Sequence, residues 1–223
     1  NLKLLKGIDG NKDQSYVLFT LTQQELGRIL LPVGEHPKER IREIAAEAGL
    51  PVADKPDSQD ICFIPDGDYR KFVSERTVPR AGKLIDSSGT VLGSHPGVHF
   101  FTIGQRRRLG LSGNTGQALY VTGIDPEFNQ VILGTEDQLF RSHLWASNVN
   151  FISDPDSSME VTAKIRYKAT QAVATVIPKD DAWAEVNFDQ PQRAVTPGQA
   201  VVFYKGEELV GGGLIETTPQ SNL

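Results

Sequence analysis

The sequence is poor in thiols and in long apolar runs. Its 223 residues include one cysteine, Cys62, and no run of 18 apolar residues. A lone thiol excludes a disulfide within the chain, and the lack of an apolar run excludes a membrane-spanning helix. The first residues also lack the apolar core and the cleavage site of a signal peptide. We therefore expect a soluble, monomeric protein of the reducing cytoplasm with no membrane attachment.

Positive charge is scarce overall but is concentrated in one stretch. The formal net charge is −5. Residues 70–108 hold eight basic and two acidic residues, whereas the chain from residue 111 onward holds seven basic and fourteen acidic ones. Phosphate groups respond to the local positive charge rather than to the net charge of the whole chain. RNA therefore remains a possible partner. The alternative explanation is a solvated surface with scattered lysines.

The first third of the chain has helical patterns. Thr22 and Glu25 fit a capping box, with Leu26, Ile29 and Leu30 on one face of the helix that follows. A second helix is predicted from Pro37 to Gly49. A third, short helix is predicted after Asp66 or Asp68, with its inward face formed by Tyr69, Phe72 and Val73.

The rest of the chain has strand patterns. Two hairpins are predicted, over 82–93 and 118–133, each with turn residues at its tip. Six regularly spaced strands then predict a small barrel: 144–152, 160–167, 172–177, 183–188, 200–204 and 208–215. The predicted class is α+β. A helical segment (1–75) precedes a small β-rich central domain (76–140) and a C-terminal antiparallel β-barrel (141–218).

One predicted barrel strand carries alternating basic residues. In a regular strand over 164–168, Lys164, Arg166 and Lys168 would share one face, with Ile165 on the other. Tyr167 would point to the core with Ile165 unless a bulge or the end of the strand reorients it. The basic face suits phosphate. The alternative is that exposed lysines protect the strand from edge-to-edge pairing.

Cys62 lies between the polar stretch 57–60 and the apolar run 61–64. A free cysteine is usually a small buried hydrophobe, so the residue alone favours inert packing over chemistry. We predict no metal site from the four histidines. Only His95 and His99 are close in sequence, and the Pro-Gly between them opposes helical spacing.

Six short motifs occur in a fixed order along the chain. They are Asn-Lys-Asp-Gln-Ser-Tyr (11–16), Leu-Pro-Val-Gly-Glu (31–35), Asp-Ser-Gln-Asp-Ile-Cys-Phe-Ile (57–64), Thr-Ile-Gly-Gln-Arg (102–106), Thr-Pro-Gly-Gln (196–199) and Gly-Gly-Gly (211–213). With them, the chain from about Leu4 to Glu216 closely resembles the C-terminal portion of the bacterial and organellar tRNA-specific 2-thiouridylases.

The resemblance implies a reaction on the wobble uridine of tRNA. ATP adenylates the C2 oxygen, and a cysteine persulfide then delivers sulfur to C2. Cys62 matches the persulfide-carrying cysteine, loaded by a sulfur donor protein. The family binds ATP, with Mg²⁺, through an N-terminal domain that carries a Ser-Gly-Gly-x-Asp-Ser phosphate loop, an acidic residue near the target base and a second catalytic cysteine. None of these three features has a match here, and the chain begins without methionine. We expect a piece of a longer protein that is inactive alone.

The resemblance also implies six tRNA contacts. Lys12, Asp13 and Gln14 match one contact stretch, Arg166 and Tyr167 match a second, and Gln199 matches a further position. A lysine or arginine suits phosphate, an aromatic ring suits stacking or sugar contact, and polar side chains suit base or ribose edges. For Asp13 the alternative role is to hold a loop turn.

The chain departs from the family at Arg108, where glycine is common. If that position needs a positive φ, an arginine there is strained. Either the loop differs in shape or it gains a phosphate contact. For the whole chain, the alternative function is a non-catalytic RNA-binding module whose Cys62 is buried and structural.

Overall fold

Strands form most of the regular structure. The computed structural model describes residues 1–55, 64, 69–78, 80–111, 117–153, 155, 157–180 and 182–216. These residues contain eleven strands and three α-helices, and they belong to two compact units. The first unit comprises Asn1–Lys55 and Arg141–Leu223, and the second is Pro56–Phe140. A mostly β architecture with few helices is compatible with the α+β prediction, and the three-segment division stays a prediction.

Five strands precede the barrel. They are β1 (Leu4–Leu5), β2 (Gly82–Asp86), β3 (Val91–His95), β4 (Tyr120–Asp125) and β5 (Gln130–Gly134). In the second unit the sheet order is β3-β2-β5-β4. Both predicted hairpins are confirmed, since β2 pairs with β3 and β4 pairs with β5 in antiparallel fashion. The first turn is held by Asp86, whose Oδ1 accepts the backbone N–H groups of Ser88 and Thr90 at 2.9 Å each.

The predicted barrel is confirmed in the first unit. Its six strands are β6 (Phe140–Phe151), β7 (Met159–Lys164), β8 (Ala172–Pro178), β9 (Ala184–Arg193), β10 (Ala200–Lys205) and β11 (Glu208–Glu216). The order around the barrel is β11-β10-β7-β8-β9-β6, and β6 pairs back onto β11 to close it. The short β1 pairs with the first residues of β11, which β6 leaves unpaired, and Leu4 lies opposite Leu209.

Both faces of β10 are buried. Val201 and Phe203 point into the barrel core, whereas Val202 and Tyr204 point outward into a second apolar cluster. That second cluster contains Leu4, Tyr16 and Phe19 from the N-terminal segment. A strand buried on both faces has a continuous apolar sequence, which is why β10 shows no alternation of polar and apolar residues. The N-terminal segment therefore covers the outside of the barrel.

The glycines of β11 let this segment approach closely. A Cβ added at Gly212 would lie 2.9 Å from the Cβ of Phe19 and 2.8 Å from the carbonyl oxygen of Val201. Distances this short between nonbonded heavy atoms are repulsive. Gly212 is thus required by the tight fit between β11, β10 and Phe19.

Three α-helices occur in the described residues: α1 (Gln23–Leu26), α2 (Lys38–Glu47) and α3 (Tyr69–Ser74). The capping box is confirmed, because the Glu25 N–H donates to Thr22 Oγ1 and the Thr22 N–H donates to Glu25 Oε2. The predicted continuation to Leu30 is wrong. The helix ends at Leu26 with Gly27 as its C-cap, and Leu30 is 91% exposed.

The second helix agrees closely with its prediction. Pro37 is its N-cap, and Gly49 follows its end with φ +68°. Its apolar side chains are only partly covered by other described residues, since Ile44 is 38% exposed. The predicted capping residues of α3, Asp66 and Asp68, lie outside the described residues. No helix in the described ranges is long and apolar enough to cross a bilayer.

The predicted strand over 160–167 is shorter in the structure. The β7 strand ends at Lys164, and residues 165–168 form a bend and turn in which the N–H of Ala169 donates to the carbonyl of Arg166. Of the two orientations left open for Tyr167, the structure therefore shows the one in which the end of the strand turns the ring away from the core. Ile165 is buried, whereas Tyr167 is 39% exposed, because the end of the strand breaks the alternation.

Candidate nucleic-acid interface

Asp13 organises the loop that carries the first predicted contact stretch. Its Oδ1 accepts the N–H groups of Gly7 and Ser15, both at 3.0 Å. Its Oδ2 accepts the hydroxyl of Ser15 at 2.8 Å. The Ser15 hydroxyl also lies 3.1 Å from the Tyr204 hydroxyl on the outer face of β10. The carboxylate thus ties the loop to itself and, through Ser15, to the barrel.

The side chains on either side of Asp13 face solvent. Lys12 and Gln14 are both exposed, and the Lys12 N–H donates to the carbonyl of Asp9 at 2.9 Å. The loop therefore presents one cation and one amide from a backbone that its own hydrogen bonds hold in place. Such an arrangement suits contact with a phosphate and with a base or ribose edge.

Tyr16 connects this loop to two other parts of the unit. Its ring contacts the ring of Tyr167 in a T-shaped arrangement, with centroids 6.2 Å apart and planes at 63°. Its hydroxyl donates to the carbonyl of Ala200 at 2.8 Å. Burial raises the pKa of the Tyr16 phenol, and the positive charge of Arg166 opposes that rise. The phenol therefore remains protonated and acts as a hydrogen-bond donor at neutral pH.

Arg166 and Tyr167 occupy the turn after β7. The Arg166 guanidinium is half-buried and donates to the carbonyl of Arg193. The Tyr167 ring is 39% exposed and lies 5.8 Å from Lys164 Nζ. One cation is thereby fixed beside an aromatic ring that is open to solvent. This combination suits a phosphate and an adjoining sugar or base.

Gln199 lies in a short turn before β10. The Gly198 N–H donates to the Ile215 carbonyl at 2.8 Å, and the Ile215 N–H donates to the Gln199 carbonyl at 2.7 Å. Gly198 has φ +80°, a conformation that glycine adopts without a steric penalty. Gln199 directly precedes Ala200, whose carbonyl accepts the Tyr16 hydroxyl.

The six predicted contact residues all lie in the first unit, and Tyr16, a residue that sequence reasoning missed, contacts the Tyr167 ring and donates to the carbonyl of Ala200, which follows Gln199. We call this the Tyr16 surface: Lys12, Asp13, Gln14, Tyr16, Arg166, Tyr167 and Gln199. Ser15 and Tyr204 are buried beneath this surface, with their hydroxyls 3.1 Å apart, and sequence reasoning missed them as well. The available signal was β10 itself, because its unbroken apolar sequence indicates that something covers its outer face.

Burial affects the ionisation of this support. Burial raises the pKa of the Tyr204 phenol to about 12, and the charge of Asp13 adds to the rise while the hydrogen bond with Ser15 opposes it. Lys6 Nζ lies 5.0 Å from the centre of the Tyr204 ring and donates to the carbonyl of Gly206 at 2.7 Å. The Tyr204 hydroxyl is therefore a neutral hydrogen-bonding partner of Ser15.

Three consecutive protein-family models match the chain. The tRNA methyl transferase HUP domain matches residues 1–66, the tRNA methyl transferase PRC-barrel domain matches 70–135, and the aminomethyltransferase beta-barrel domain matches 141–215. A tRNA-specific 2-thiouridylase MnmA of Moorella thermoacetica is 48% identical over 221 residues, which cover 97% of this chain and 61% of the relative. The chain belongs to the tRNA-specific 2-thiouridylase family.

Other members of the 2-thiouridylase family give similar figures. The MnmA of Carboxydothermus hydrogenoformans is 49% identical over 96% of this chain, and that of Clostridium botulinum is 46% identical over 96%. The chain spans about three fifths of the length of these relatives. The match to the beta-barrel domain, 141–215, coincides with strands β6 to β11.

The predicted reactive residue, Cys62, lies outside the described residues, as does the apolar run 61–64 except for Ile64. Ile64 is buried. Within the described ranges, no group of three or more histidine, cysteine, aspartate or glutamate residues could hold a metal ion. The sequence also has no Ser-Gly-Gly-x-Asp-Ser loop.

Proposed function

We propose that this chain is the sulfur-carrying and tRNA-docking part of a tRNA thiolase. The proposal is carried by the chemistry of Lys12, Gln14, Arg166, Tyr167 and Gln199 in one unit, where Tyr16 contacts the Tyr167 ring and donates to the carbonyl that follows Gln199. Relatives named tRNA-specific 2-thiouridylase, 46–49% identical, support it. The whole protein would replace O2 of the wobble uridine by sulfur.

Docking would use the chemistry of the Tyr16 surface. Lys12 and Arg166 bind phosphates, while Gln14 and Gln199 contact base or ribose edges. The exposed ring of Tyr167 stacks on a base or packs against a sugar. Asp13 has its two carboxylate oxygens engaged by Gly7 and Ser15. Its main contribution is to hold Lys12 and Gln14 in position.

The sulfur transfer would take place at Cys62. A terminal persulfide sulfur on Cys62 attacks C2 of the uridine, and the adenylated oxygen leaves with AMP. A second cysteine, outside this chain, then attacks Cys62 Sγ, which breaks the sulfur–sulfur bond and frees the thiolated base. The two cysteines are left as a disulfide that a thiol reductant must restore. A persulfide donor protein reloads Cys62.

The parts of the chain would have separate tasks. Residues 1–75 complete the catalytic domain, residues 76–140 form a central β-rich domain, and residues 141–218 form the barrel. The exposed apolar side chains of the first part support its proposed task, because such a surface usually packs against a partner. They include Leu30, Val33, Ile44 and Leu50. ATP and Mg²⁺ bind outside this chain, which alone is inactive, monomeric and cytoplasmic.

The alternative proposal is a non-catalytic RNA-binding module with a buried structural cysteine. The burial of Ile64, two residues after Cys62, favours it. Replacement of Cys62 by serine in the longer protein separates the two. Loss of 2-thiouridine from tRNA, measured by nucleoside mass spectrometry, supports the thiolase. Full retention of thiolation in the serine variant, together with a wild-type Cys62 thiol that resists alkylation, supports the module.

Docking is tested by tRNA binding to the 223-residue chain. Arg166→Gln should weaken binding and make its salt dependence shallower, because one phosphate contact is lost. Arg40→Gln is the matched control. It removes the same charge from a guanidinium already paired with Glu43 and Glu47 at 2.9 and 3.4 Å. Equal affinities for the two variants would contradict the assigned role of Arg166.

A further inference from the structure

Three consecutive arginines of the second unit have no part in the function described so far. Arg106, Arg107 and Arg108 are all exposed and lie between Phe101 and Leu109, which are both buried in the core of that unit. Among the residues that the structure describes, no carboxylate pairs with any of the three guanidinium groups. The Arg106 guanidinium lies over the Tyr120 ring, whose centre is 6.0 Å from Arg106 Cζ.

The backbone beneath the arginines is fixed. Gln105 accepts the Thr102 N–H through Oε1 at 3.2 Å and donates from Nε2 to the Arg107 carbonyl at 2.9 Å. The Gln105 carbonyl accepts the N–H of Val121 at 2.9 Å, and the N–H of Gly104 donates to the carbonyl of Val121 at 2.8 Å. The turn is thereby attached to strand β4, and its three cations are presented from a rigid base.

Arg108 has a strained backbone. Its φ is +61°, in the left-handed region that disfavours any side chain with a Cβ. Glycine, common at this position in the resembling family, would adopt this conformation without strain. A strained residue persists where the surrounding structure holds it, and such residues concentrate at binding sites. The charge of Arg108 is therefore retained at a cost in stability.

Two neighbouring cavities meet at Arg108. One, of about 410 Å³, is lined by Arg106 and Arg108 together with residues 109–111, 118 and 119. The other, of about 400 Å³, is lined by Arg107 and Arg108 together with His99, Thr102 and Gln105 and the rings of residues 100 and 101. Two arginines line each cavity, and Arg108 is common to both. This layout suits a ligand with anionic groups repeated along its length.

We propose that Arg106, Arg107 and Arg108 form a second RNA-backbone site, which binds adjacent phosphodiester groups of the tRNA. Planar guanidinium groups bind phosphate oxygens in bidentate fashion, and exposed cations without acidic partners release counterions when phosphates replace them. The proposal rests on the proposed tRNA-docking function and adds a second contact, in a different unit from the Tyr16 surface.

The test is the salt dependence of tRNA binding to the 223-residue chain. Arg108→Gly removes both the charge and the backbone strain. The slope of log affinity against log salt should become shallower by about 1, while the melting temperature stays the same or rises. Arg108→Lys keeps the charge and should keep the slope. A variant with Arg106, Arg107 and Arg108 all replaced by glutamine should lose about 3 in slope, and Arg40→Gln should lose nothing.

The outcomes distinguish this site from the proposed function. If Arg108→Gly and the triple variant bind tRNA with the wild-type slope, the second site is overturned while tRNA docking stands. A wild-type chain that does not bind tRNA overturns both. An unchanged slope combined with lost binding of an acidic partner protein would assign the arginines to that protein and overturn the RNA site.

Discussion

The ring of Tyr16 meets the ring of Tyr167 edge-on, with centroids 6.2 Å apart. Tyr16 is buried, whereas Tyr167 is partly exposed, so the buried ring sets the position of the exposed one. Aromatic pairs in this geometry are favourable because the positive edge of one ring faces the negative face of the other. The contact explains how a turn without regular structure can present a defined ring to a ligand.

Substitution of Tyr16 should separate its ring from its hydroxyl. Tyr16→Phe loses the hydrogen bond to Ala200 but keeps the ring, so we expect a cost of about 1 kcal/mol in unfolding free energy and little loss of tRNA affinity. Tyr16→Ala also loses the ring, with an expected cost of about 3–5 kcal/mol and a clear loss of affinity. Urea unfolding and tRNA titration measure the two effects. Wild-type affinity in folded Tyr16→Ala would show that Tyr16 does not position Tyr167.

Substitution of Asp13 should show whether its oxygens hold the loop or contact RNA. Asp13→Asn keeps an acceptor for the N–H groups of Gly7 and Ser15, so tRNA affinity should stay near the wild-type value. Asp13→Ala removes every acceptor and should lower affinity. Ser15→Ala is the control for the position of the loop, because it removes the hydroxyl that joins Asp13 to Tyr204 and is too buried to contact RNA. It should lower the unfolding free energy by about 1–2 kcal/mol. If Asp13→Asn binds as weakly as Asp13→Ala, the carboxylate itself is needed for binding.

Gly212 offers a test of the tight fit outside the barrel. Gly212→Ala places a Cβ within 3.0 Å of Phe19 and Val201 atoms, so we expect a destabilisation of about 1–3 kcal/mol, seen as a lower urea midpoint. Gly10→Ala is the matched control, since its added Cβ would meet nothing within 4 Å. Equal midpoints for both variants would mean that the segment around Phe19 moves away without cost.

The stability of the second unit should depend on pH through His95. Burial lowers the pKa of His95, while the Asn129 carbonyl opposes this shift and His99 adds to it slightly. In the unfolded chain the pKa of His95 is roughly 6.5, so below that pH the unfolded chain binds the proton more tightly than the folded chain does. The contribution of neutral His95 to the unfolding free energy is therefore fully present above that pH. It falls as the pH drops through that value, by at most about 1.4 kcal/mol per pH unit.

The measurement is the unfolding free energy between pH 7.5 and 5.5 in variants. His95→Leu should show a flatter dependence on pH than the wild type. His36→Gln, at an exposed position, is the control and should leave the dependence unchanged. A wild-type slope in His95→Leu would assign the pH dependence to other groups.

Local patterns predicted local structure well. The Thr22 capping box, the turn at Asp86 and the six barrel strands all depend on neighbouring residues, and all are present. Two features were missed for different reasons. The end of β7 at Lys164 depends on pairing with strands that are distant in sequence. The exposure of Leu30 has a local cause, since helix α1 ends at its C-cap Gly27 although the apolar spacing continues beyond it.

The candidate site was predicted in part. The motifs supplied six residues, and the structure shows that they lie in one unit, but it was Tyr16 that joined them. Its role depends on Ala200 and Tyr167, which lie far away in sequence. Cys62 stays a prediction because it lies outside the described residues. For Arg108, the sequence left loop shape and phosphate contact open, and the φ of +61° shows that the arginine keeps the left-handed backbone.

The two-sided burial of β10 has a consequence for the order of events during synthesis. Ser15 and Tyr204, which meet across its outer face, are 189 residues apart. Translation at roughly 5–20 residues per second separates their appearance by on the order of ten seconds or more. The N-terminal segment is made first, yet it must wait for the last strands before it has a surface to cover. During that interval its apolar side chains lack the barrel surface that covers them in the folded unit.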